Sequence, residues 1–204
     1  MKLAARFISV LFHPLLMPAL GLLLILNSGT YLSLLDPGIK KALLAVMALG
    51  TLVFPLVLIP ALLYRRTNVN LYNLDRNERV LPLLAILVLY GITFLYFYRL
   101  HLNSLVHGFA LSSVTLVLSL LVLNIWIKVC AHTAALGGMV ALVLMLIFLY
   151  ATPLAGVLIM VLLASGITSS SRLLLGIQEP AEVYTGFGTG FGVVILTLLS
   201  VSLF

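Results

Sequence analysis

Val129 to Ser171 reads VCAHTAALGGMVALVLMLIFLYATPLAGVLIMVLLASGITSSS, with no Asp, Glu, Lys or Arg and His132 as its one histidine. About 20 apolar residues cross a bilayer, so this run is too long for one helix. Tyr150-Ala151-Thr152-Pro153 divides it, because proline disfavours helix in the residue before it. The stretch therefore predicts two consecutive spans, Thr133–Tyr150 and Pro153–Ser170.

The same reading extends outward in both directions. A charge at the bilayer centre costs about 2.5–3.5 kcal/mol, so charge-free intervals delimit the crossings. Phe7–Leu26, Ala42–Tyr64, Val80–Tyr98 and Val106–Ile127 precede the stretch, and Val183–Phe204 follows it. Seven spans are predicted, or six if one segment is re-entrant. The expected fold class is all-α, a polytopic helical membrane bundle forming one transmembrane domain over residues 1–204.

Composition agrees. Of the 204 residues, 63% are apolar and 8% charged, with a mean hydropathy of +1.29. A soluble domain carries about 25% charged residues, so too few charges exist here to coat a globule in water. The N-terminus, Met1-Lys2-Leu3-Ala4-Ala5-Arg6, faintly resembles a signal peptide, but Pro14 and Pro18 interrupt the apolar run that follows. It reads as a retained first helix.

Other classes fall away on single residues. The net charge of +6 is scattered between apolar runs and forms no basic stripe, which argues against a nucleic-acid partner. The single cysteine, Cys130, excludes an intramolecular disulfide. A retinal protein needs a lysine in its last helix, and none follows Lys128. No His, Asp and Glu cluster has metal-ligand spacing, so neither a metal nor another cofactor is expected. Gly186, Gly188, Gly190 and Gly192 follow no strand and read as helix packing rather than nucleotide binding.

With seven crossings, alternate loops share a side. Lys2, Arg6, Arg65, Arg66, Arg76, Arg79, Lys128 and Arg172 fall on one, with Asp75, Glu78, Glu179 and Glu182; Lys40, Lys41, Arg99 and Asp36 fall on the other. The positive-inside rule turns the richer side to the cytoplasm. The expected location is a bacterial inner (plasma) membrane. Arg76, Arg79, Lys128 and Arg172 could together surround one anion at headgroup level, the natural candidate being a phosphorylated lipid. The competing reading is that these cations only anchor helix ends at the interface, as in an unrelated small transporter or structural bundle.

Three stretches on the richer side bear on that choice: Asp75-Arg76-Asn77-Glu78-Arg79-Val80-Leu81-Pro82, Lys128-Val129-Cys130-Ala131-His132, and Ser171-Arg172 running through Gln178, Glu182 and Gly186. In this order they resemble the motifs of the type 2 phosphatidic acid phosphatase (PAP2) superfamily, over roughly residues 65–190. That family carries Lys-x6-Arg-Pro, then Pro-Ser-Gly-His, then Ser-Arg-x5-His-x3-Asp. The resemblance implies a catalytic set at His132, Gln178 and Glu182, and a phosphate-binding set at Arg79, Lys128, Arg172, Ser171, Cys130 and Arg76. It implies His132 as the acid that protonates the leaving alcohol and Arg172 as a phosphate clamp, with Arg79 and Lys128 as further clamps. Gln178 stands at the position of the family's nucleophilic histidine, Glu182 at that of the orienting aspartate, and Cys130 at that of the motif serine. A carboxamide nitrogen has no basic lone pair and cannot attack phosphorus as imidazole does. Two outcomes stay open: hydrolysis by another route, or a relative that binds or transports phosphorylated lipid without cleaving it.

Outside these stretches, His13 lies within the first span and before Pro14, where an ionisable side chain is a functional candidate. Asn124 and Trp126, at the end of the fourth span, are candidates for a cavity mouth. His101 and His107 lie in or beside the opposite loop and read as solvated residues.

Overall fold

The computed structural model describes residues 2–64, 77–100 and 102–203. Arg76, together with Asp75, Arg65, Arg66 and His101, lies outside the described residues. The described residues form no β-strand. Seven of their helices are long and apolar enough to cross a membrane: Leu3–Asn27, Pro37–Leu62, Val80–Arg99, Ser104–Leu123, Ala131–Tyr150, Ala155–Leu174 and Pro180–Ser202. The protein is an integral membrane helical bundle.

Two of the seven spans are interrupted, so the crossings are built from nine helices among the described residues. These are α1 (Lys2–Leu11), α2 (Met17–Asn27), α3 (Pro37–Ala48), α4 (Phe54–Tyr64), α5 (Val80–Arg99), α6 (Ser104–Leu123), α7 (Ala131–Tyr150), α8 (Ala155–Leu174) and α9 (Pro180–Leu203). Local chemistry fixes several starts. Asp36 caps α3 by accepting from the Gly38 amide at 2.7 Å, and Asn103 caps α6 by accepting from Leu105 at 2.8 Å. Pro37 and Pro180 open α3 and α9, where a missing amide hydrogen costs nothing.

The central element is α7. Leu136, Ala141, Leu142 and Leu146 are buried within it, in one cluster with Leu22, Ile25 and Leu26 of α2, Phe109 of α6, and Val194 and Leu198 of α9. Lipid tails are as apolar as leucine, so packing rather than water exclusion must hold such helices together. Glycine supplies that packing between α7 and α9. A Cβ on Gly190 would run into the Ala134 carbonyl, one on Gly137 into the Phe187 carbonyl, and one on Gly186 into Thr133 Oγ1 and the Cys130 carbonyl. The alternate glycines, Gly188 and Gly192, meet nothing within 4 Å. Of the predicted glycine series, the pair four residues apart makes the seam, as helical periodicity requires.

The boundaries differ from expectation in instructive ways. The fourth span ends at Leu123 rather than Ile127, and residues 124–126 form a turn. The sixth span begins two residues late and runs on to Leu174, placing Arg172 in the last turn of α8 instead of in a loop. A cation there complements the helix dipole. Gly176, with φ +65°, then reverses the chain. In the second span a π-turn over Leu49–Val53 joins α3 to α4, and Tyr90 from α5 donates its hydroxyl to the Thr51 carbonyl at 3.4 Å.

Candidate functional site

The first span breaks where Pro14 removes an amide hydrogen and holds the preceding residue out of the helical region. His13 is extended (φ −68°, ψ 134°) and caps a short 3-10 turn, Pro14–Leu16, accepting from the Leu15 amide through Nδ1 at 3.3 Å. Backbone carbonyls of the last turn of α1 are thereby left without a helical donor. In hydrocarbon such groups must be satisfied by the protein itself. His132, the second residue of α7, supplies one bond: its Nε2 lies 3.2 Å from the Ser9 carbonyl oxygen. A carbonyl only accepts, so Nε2 carries the hydrogen. The His13 and His132 rings meet edge to face with centroids 5.6 Å apart.

Two other helix ends are fastened beside this pair. The Cys130 amide donates to the Glu182 carbonyl at 3.0 Å, and Thr133 Oγ1 donates to the Val183 carbonyl at 2.9 Å. These bonds tie the start of α9 to the start of α7. The turn between α8 and α9 is thus held near His132, and Gln178 within it is only 7% exposed. Its amide fits its surroundings in one orientation: the nitrogen donates to Glu182 Oε2 at 2.7 Å and the oxygen accepts from Arg79 Nη2 at 3.1 Å. Arg79 also donates from Nη1 to the Val129 carbonyl at 3.1 Å.

The result is a cavity of about 830 Å³ on the side where the sequence concentrates its cations. Arg79, His132, Arg172 and Gln178 all line it, joined by Arg6, Ser9 and His13 from the first span and by Asn124. Among the described residues no carboxylate is part of the wall. Arg172 is 9% exposed, and its Nε has no hydrogen-bond partner among the described residues. A buried guanidinium whose Nε is left unsatisfied by the described residues is costly, and an anion in the cavity would relieve it.

The remaining expected site residues stand behind the wall. Val129 and Ala131 line the cavity, whereas Lys128 and Cys130 do not. Residues 128–130 are non-helical, with Cys130 extended, and alternate side chains of extended backbone point to opposite sides. Cys130 is fully buried and its backbone, not its thiol, makes the bond described above. Ser171 spends its hydroxyl on the Ile167 carbonyl of its own helix, at 2.8 Å. Glu182 reaches the site through Gln178. His13 and Asn124, raised by the sequence, do reach the wall. Arg6 and Ser9 were not singled out. The signal for Arg6 was its place one helical turn from Ser9 and two from His13, visible only once His13 is taken as a site residue.

Chemically, the wall combines guanidinium forks suited to phosphate oxygens, two imidazoles and apolar sides formed by residues such as Leu83 and Ile177. No protein-family model matches the chain, and no curated protein or solved structure matches it.

Proposed function

We propose that the protein holds the phosphate headgroup of a membrane lipid, such as a phosphatidate or a polyprenyl phosphate, in this cavity without forming a phosphohistidine at position 178. The observation that carries this reading is Arg172: a buried cation whose Nε has no partner among the described residues, on a cavity whose wall contains Arg6 and Arg79 and no described carboxylate. The resemblance to lipid phosphate phosphatases supports the same ligand class through Arg79, His132 and Arg172. The Gln178 amide, fixed between Glu182 and Arg79, supports binding over cleavage, since it presents no lone pair for attack.

Phosphomonoester hydrolysis is the second reading, and the imidazole pair favours it. The Leu15 amide occupies Nδ1 of His13, but His132, donating from Nε2, keeps the lone pair of its Nδ1, so the site is not without a basic nitrogen. One experiment separates the two. Purified protein in nanodiscs is titrated with phosphatidate and with isoprenyl phosphate, while released inorganic phosphate is followed. Saturable binding that Arg172→Ala strongly weakens, without phosphate release, supports the binding reading. Release from the parent that His13→Ala or His132→Ala abolishes would replace it with the hydrolytic one. Binding unaffected by Arg172→Ala would defeat both.

A further inference from the structure

Among the described residues, the cavity is not closed towards the bilayer. α1 packs along α8, and among the described residues no comparable packing joins α1 to α4 or α5. The cavity nevertheless takes wall from all three: Arg6 and Val10 from α1, Leu56 from α4, and Leu83 from α5. Val10 and Leu56 are 69% and 58% exposed, so each belongs to the cavity wall and to the outer surface of the bundle. A residue with both properties marks a mouth.

The depth of that mouth follows from helix geometry. Val10 lies one turn beyond Arg6, about 6 Å further along α1 at a rise of about 1.5 Å per residue. Leu56 lies eight residues before Tyr64, the end of α4, or about 12 Å from it. The mouth therefore opens well below the level of the boundary cations, in the hydrocarbon layer, on flanks that are apolar on both helices. A water-soluble phosphate ester has no use for such an opening. An amphiphile with an anion at headgroup level and a chain in the hydrocarbon matches both ends.

We infer that the gap between α1 and α4 is the chain subsite of the cavity, through which a long-chain phosphorylated lipid moves in laterally from the bilayer and along which its apolar chain lies. This rests on the lipid-phosphate reading above and adds where the ligand's chain lies and from which side it enters.

Two measurements test it. In the first, Val10→Trp and Leu56→Trp are combined to fill the gap at lipid-facing positions, and binding of dioleoyl phosphatidate in nanodiscs is compared with binding of glycerol 3-phosphate. The double variant is expected to bind phosphatidate at least tenfold more weakly and glycerol 3-phosphate as the parent does. Unchanged phosphatidate binding would overturn the chain subsite. In the second, which needs no change at the mouth, phosphatidate carrying a diazirine in its acyl chain is photolysed with the parent protein. Crosslinks should fall on the peptides containing Val10 and Leu56, and Arg172→Ala should reduce them to the level given by a diacylglycerol probe. Labelling centred on other helices would also overturn the subsite. If Arg172→Ala leaves phosphatidate binding intact, the phosphate reading itself fails. If it abolishes binding while the gap variants do not weaken it, only the chain subsite fails.

Discussion

The two flanks of α7 are built on opposite principles. Towards α9, backbone meets backbone: Gly137, Gly186 and Gly190 leave no Cβ where one would strike the facing helix, and Thr133 and Cys130 bond across the seam. Towards α1 and α8 the chain does the reverse. A helix is broken, carbonyls are released, and Arg172 is buried without a partner for its Nε among the described residues. The seam spends small residues to reach close packing, and the cavity flank retains polar groups that packing does not satisfy. Such a division is what a binding protein needs, since one flank must be indifferent to ligand and the other must be incomplete without it.

The comparison can be broken at its most sensitive point. Gly190→Leu drives a side chain into the Ala134 backbone and should cost about 3 kcal/mol, the upper end of overpacking penalties, read as a lowered melting temperature in detergent. On the cavity flank, Arg172→Ala should do the opposite of a core lesion. Melting is expected to hold or rise, because a buried guanidinium whose Nε no described residue satisfies is removed. Phosphatidate binding should meanwhile fall by about 2 kcal/mol, roughly thirtyfold, as for a lost hydrogen bond to a charged group. A variant that loses stability and binding together would make Arg172 structural and erase the contrast.

How much of this contrast is legible in sequence depends on the range of the interactions. Spans are legible because hydrocarbon rejects charge residue by residue, so Val129–Ser171 declares itself without any partner. The glycine series is half legible: Gly186 to Gly192 is plainly a packing surface, but only helical phase separates Gly190, against Ala134, from Gly188, which meets nothing. Arg79, His132, Arg172 and Gln178 were readable as a set through their motif resemblance, and they do line one cavity. Lys128 and Cys130 were not separable from Val129 and Ala131, since the strand-like alternation that turns them away appears only when the α6–α7 connection is seen to be non-helical. The Ser9–His132 bond was out of reach altogether, because its two ends lie 123 residues apart and neither predicts the other.

Smaller effects sharpen the picture. His132→Ala leaves the Ser9 carbonyl without its donor and should lower stability by about 1 kcal/mol, measured by thermal melting without ligand. His132→Asn, which keeps a donor but shortens its reach, should recover part of that loss. If His132→Ala melts like the parent, the break in the first span is sustained by something else. The smallest expected change is at Gly188, where alanine meets no neighbour and should raise stability by about 0.5 kcal/mol through helix propensity alone. A loss at Gly188 would mean that the outer glycine row also packs against something.

The bond from His132 to Ser9 has a further consequence, in the order of assembly. Ser9 is made before its partner, which follows 123 residues later. At about 5–20 residues per second, that separation corresponds to about 6–25 s of synthesis. For that interval the first span, already broken at Pro14, has a carbonyl that its final donor cannot reach. Its seating against α7 is therefore a late event in biogenesis, completed only after the fifth crossing has begun.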